Sequence, residues 1–76
     1  MDNLVPSNRD VLETTANTIT KVIPSGEVFE FNRAVDYVSS KTGIDPRLVA
    51  EALSVAIKEK EFAVANNESG VWLRKL

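Results

Sequence analysis

Thr42-Gly43-Ile44-Asp45-Pro46 both closes one helix and opens the next, and this short passage decides how the chain folds. Gly43 suits the left-handed residue that commonly ends a helix, which leaves Ile44 free to turn inward. Asp45 can cap exposed amides, and Pro46 occupies a first helical position, where no hydrogen bond is lost. Upstream, Phe31, Ala34, Val35 and Val38 fall on one side of a helix, with Arg33, Asp36, Ser39 and Ser40 away from it. Downstream, a helix running to about Lys60 places Leu48, Val49, Ala52, Leu53, Ala56 and Ile57 on a wide apolar arc. Its polar residues Arg47, Glu51, Ser54 and Lys58 form one narrow stripe.

Outward from this pair, a first helix is expected from Ser7 to about Ile23, with Ser7 as cap and Asp10 in the first turn. Val11, Leu12, Ala16, Ile19, Val22 and Ile23 follow the helical period, and Pro24-Ser25-Gly26 stops it. Its threonines at 14, 15, 18 and 20 lower intrinsic helicity, so the helix depends on packing. Glu27-Val28-Phe29-Glu30 is either a short strand beside the C-terminal ribbon or a loop whose Phe29 plugs the core. Phe62–Ala65 and Val71–Leu76 alternate as strands around an Asn-rich turn closed by Gly70, which makes a hairpin. Phe62 and Val64 should share one face with Val71 and Leu73. Trp72, Arg74 and Leu76 take the other, and the pattern does not say which face is buried.

The expected fold class is therefore α+β, one domain over residues 7–76, with residues 1–6 as a disordered N-terminus. A chain of 76 residues that is 43% hydrophobic and 26% charged has enough apolar material for one core. There is no Cys and no His, so disulfides, thiol chemistry and zinc clusters of these ligands are excluded. No apolar run approaches the roughly 20 residues that span a bilayer, and the N-terminus lacks a signal-peptide pattern, so the expected location is the cytoplasm. Catalysis finds no support, since carboxylates fall on separate elements and no glycine-rich phosphate loop or metal set is present. No cofactor and no metal are expected.

Small Ser39, Gly43, the apolar Ile44 just after it, then Val49 and Ala52 stand at spacings that pack the third helix on the second. With a helix in front and a hairpin ending Gly70-Val71-Trp72-Leu73 behind, residues 7–76 resemble a winged helix-turn-helix domain. The resemblance implies duplex DNA as partner, with the third helix in the major groove, the hairpin as a wing against the backbone or minor groove, and a role in regulating transcription or replication. The base-reading candidates are then Arg47, Glu51, Ser54 and Lys58, because Arg can pair with guanine, Glu can accept from cytosine and Ser can do either. Arg33 and Lys41 would add phosphate contacts from the second helix, and Asn66, Asn67, Arg74 and Lys75 from the wing. The resemblance also implies a possible homodimer.

A plainer reading makes the stripe a solvated face, with Arg47 and Glu51 paired at helical spacing. The net charge of −2 favours a third view, a protein-protein interaction module acting as adaptor or inhibitor of transcription or replication machinery. Ala50 and Val55 beside the stripe, or Trp72 and Leu76 on the hairpin, would then be the contact residues.

Overall fold

The computed structural model describes residues 8–76, so the expected Ser7 cap and the N-terminal six residues lie outside it. Its elements are α1 (Asn8–Val22), β1 (Val28–Glu30), α2 (Phe31–Thr42), α3 (Pro46–Lys58), β2 (Phe62–Asn67) and β3 (Gly70–Lys75). The strands form an antiparallel sheet in the order β1-β3-β2. Three helices and this sheet make a small α+β domain, compatible with a winged-helix arrangement. Among the described residues, no helix is long and apolar enough to cross a membrane.

One core joins all the layers. Ile19 of α1, Ile23 just past its end, Val38 of α2, Val49 and Leu53 of α3 and Leu73 of β3 are fully buried. Burying one such side chain contributes roughly 1.5–3 kcal/mol. α1 packs chiefly along α3, and this contact holds a helix whose own sequence is a poor helix former. Thr15 and Thr18 donate to the carbonyls of Val11 and Thr14 at 2.8 and 3.1 Å, which lets Thr15 sit buried without an orphaned hydroxyl.

The turn between α2 and α3 closes as its residues require. Gly43 takes φ 75° and its N–H donates to the Ser39 carbonyl at 2.8 Å. Two side chains stitch the turn: the Ser39 hydroxyl donates to Ile44 O at 2.7 Å, and Thr42 Oγ1 accepts from Ile44 N at 3.2 Å. Asp45 Oδ1 then accepts from Arg47 N at 2.8 Å and opens α3. The far end of α3 falls short of the expected Lys60. Lys60 adopts φ 63°, and the bonds Lys60 N to Ile57 O and Glu61 N to Ala56 O, both 3.0 Å, close the helix at Lys58. Glycine usually fills this left-handed position, where a side chain costs about 1–2 kcal/mol. Lys60→Gly should therefore stabilise the domain by about 0.5–1 kcal/mol after the glycine's own entropic cost, seen as a higher urea midpoint with unchanged slope.

At residues 27–30 the two alternatives merge. Val28–Glu30 is a strand paired with β3, and Phe29 still faces the helices, its ring 5.2 Å from that of Tyr37. Glu30 gives α2 its cap: its carboxylate accepts from the amides of Asn32 and Arg33 at 3.1 and 3.3 Å. Glu30→Ala should cost about 1 kcal/mol, a fall in Tm of roughly 4–8 °C.

The hairpin is longer than its apolar residues suggested. Pairing continues through Asn67 and Gly70, which reduces the turn to Glu68-Ser69, and Asn67 Oδ1 accepts from Ser69 N at 2.7 Å. Register places Phe62 opposite Lys75 and Val64 opposite Leu73. The helices cover this face, burying Phe62 and Leu73. Val28, Ala63, Ala65, Trp72 and Arg74 lie on the other.

Candidate nucleic-acid interface

The face of α3 away from the core carries Arg47, Glu51, Ser54 and Lys58, all exposed, while Val49, Ala52, Leu53 and Ala56 anchor the opposite face. The spacing of four, three and four residues keeps the four side chains within about 60° of one line over roughly 16 Å of helix. Arg47 and Glu51 do not form the ion pair that helical spacing would allow. Among the described residues, no ion pair engages Arg47, Glu51 or Lys58. Only Ser54 is occupied, its hydroxyl donating back to the Ala50 carbonyl at a long 3.3 Å. The stripe is thus a row of unsatisfied donors and one acceptor, with Arg47 and Lys58 outweighing Glu51.

The other expected contact residues do not all join it. Arg33 and Lys41 are exposed, but they share a flank of α2 with Tyr37, about half a turn round the helix from Ser39, which marks the side facing α3. There Lys41 Nζ lies 5.6 Å from the centre of the Tyr37 ring, and Arg33 borders an open cleft with Phe29, Asp36 and Tyr37. Asn66 and Asn67 are exposed near the hairpin turn, although the Asn67 carbonyl oxygen is committed to the turn itself. Arg74 is exposed on the outer sheet face. Lys75 is only 9% exposed, shares the inward face with Phe62, and its Nζ donates to the Leu76 carbonyl at 3.1 Å.

The residues expected for a protein contact also separate. Ala50 and Val55 are half-buried and pack against the core, Val55 beside Leu12 in the cleft between α1 and α3. Trp72 is half-buried on the outer sheet face, and its indole Nε1 is buried with no acceptor among the described residues. Leu76 is 54% exposed, tied by its amide to the Glu61 carbonyl at 3.0 Å.

Two features of the surface were not anticipated: the Phe29–Tyr37 stack flanked by cations, and the capping carboxylate of Glu30. The recurrence of Arg33, Tyr37 and Lys41 at four-residue intervals was the available signal for the first. Comparison with known protein families, curated proteins and solved structures returned no match for this chain.

Proposed function

We propose that this chain is a small winged-helix DNA-binding protein, a regulator of transcription or replication, that contacts duplex DNA through the exposed face of α3 with the hairpin alongside. The supporting observation is the exposed row Arg47, Ser54 and Lys58 on α3, in which neither Arg47 nor Lys58 is held in an ion pair. An α-helix fits the major groove, where Arg47 can hold guanine O6 and N7 together, Ser54 can donate or accept, and Glu51 can accept from cytosine N4. Lys58, at the end of the row, suits a phosphate or guanine oxygen.

The charge balance shapes the mode of binding. With Arg33 and Lys41 on another flank and Lys75 buried, few cations reach the backbone, so sequence-independent affinity is small and base contacts carry a larger share. Anisotropy with duplex DNA over a salt series tests this. Micromolar or tighter binding is expected, with log K falling against log salt at a slope of about −2 to −3, equivalent to two or three neutralised phosphates. Absence of binding at low salt overturns the proposal.

A further inference from the structure

Among the described residues, the sheet ends on one side in a strand with no neighbour beyond it. There β2 pairs only with β3, through an unbroken register from Phe62–Lys75 to Asn67–Gly70. Its six residues, Phe62 to Asn67, contain no charge, no proline and no glycine. Proteins usually blunt an exposed edge with lysine, proline, a bulge or extreme shortness, because free backbone donors and acceptors recruit other strands. β1, at the opposite edge, is protected in this way: it has three residues and runs straight into α2. β2 has none of these devices.

Beside this edge, the outer sheet face forms a shallow groove with Ala63 and Ala65 in front, Trp72 and Arg74 behind, and Val28 beyond. Among the described residues, no carboxylate lies within ion-pair distance of Arg74. The short side chain of Ala63, directly opposite Arg74, lets the long guanidinium arm lean toward the edge across most of two strand spacings, about 9.6 Å. The indole N–H of Trp72 lacks an acceptor on the same face. The groove therefore offers one cation outside any ion pair and an apolar floor, with Glu30 opposite Trp72 on its far side.

We propose that the edge of β2 receives an extended segment of a partner protein as a fourth strand, with an acidic side chain paired to Arg74 and an apolar one covering Trp72. A second copy of the chain fits less well. The three-stranded face measures about 14 by 20 Å from strand spacing and rise, near 280 Å², against about 800 Å² per partner in a stable interface. A second β2 carries carboxylates only beyond its two ends, at Glu61 and Glu68, and none within the strand. A short acidic-apolar strand meets both limits, gaining affinity from main-chain hydrogen bonds and selectivity from alternate side chains. This surface is separate from α3, and its edge amides and Trp72 report on strand docking without DNA present.

The test is an NMR titration of the full chain with the terminally blocked peptide Thr-Val-Thr-Glu-Thr-Val-Thr, which puts valine and glutamate on one strand face, under conditions where the peptide is monomeric. Millimolar or tighter binding should shift the amides of residues 62–67 and the Trp72 indole N–H. N-methylation of alternate peptide amides should abolish it. Arg74→Glu should weaken this peptide at least tenfold and improve binding of a counterpart with lysine in place of the glutamate, with Arg74→Gln as a milder variant if the charge reversal unfolds the sheet. No binding at millimolar peptide, shifts confined to other elements, or an affinity indifferent to both Arg74 variants overturns the proposal. So does sedimentation showing that the free protein is already a dimer through β2.

Discussion

Leu53→Ala should remove about 3 kcal/mol of stability, through lost transfer energy and the cavity left behind. Leu53 is fully buried on α3 and belongs to the cluster that joins the helices to the sheet. A domain of this length has total stability near 4–11 kcal/mol, so the loss is a large part of the whole. The expected Tm fall is roughly 12–24 °C, at about 4–8 °C per kcal/mol for a domain this small. Urea unfolding should show the same loss as a lower midpoint with unchanged slope. A loss below about 1 kcal/mol would mean that the site collapses freely or that the core is elsewhere.

Arg47→Ala should weaken binding to the preferred duplex by about 10- to 100-fold and flatten discrimination at one base pair, the expected result of losing a bidentate guanine contact. Lys58→Ala should act differently. It should lower affinity for all sequences alike and make the salt slope shallower by about 1. Neither change should move Tm appreciably, because both side chains are exposed and unpaired. Anisotropy on a panel of duplexes separates the two effects. Equal affinities for wild type and Arg47→Ala on every duplex would remove Arg47 from the interface.

The helices and the hairpin were legible because their signals are local. Gly43 has one conformation to supply, Asp45-Pro46 has one place to sit, and the period of α3 separates its stripe from its core face without reference to any neighbour. Lys60 was misleading for the same reason. A lysine carries no mark of a helix end, and its left-handed backbone is imposed by the bonds around it. Glu30 was missed because glutamate is not a favoured cap; its role depends on β1 delivering it to the first turn of α2.

Placing the site needed tertiary information. Alternation along the hairpin gave the shared face of Phe62, Val64, Val71 and Leu73, but only the covering helices show that this face is inward. That assignment buries Lys75 and exposes Arg74, although the two are adjacent in the chain and were equal candidates. The same holds for Arg33 and Lys41. Their charge is plain in the sequence, whereas their position beside Tyr37, away from the turn leading into α3, depends on how α2 is rotated in the fold.

The most direct measurement is an amide NMR titration of the protein with a duplex that it binds in the anisotropy assay. Shifts are expected at Arg47, Glu51, Ser54 and Lys58 along α3 and around the hairpin turn at residues 66–69, with the Tyr37 flank of α2 and residues 62–65 of β2 unmoved. Shifts confined to α2 or to the outer sheet face, with α3 silent, would contradict it.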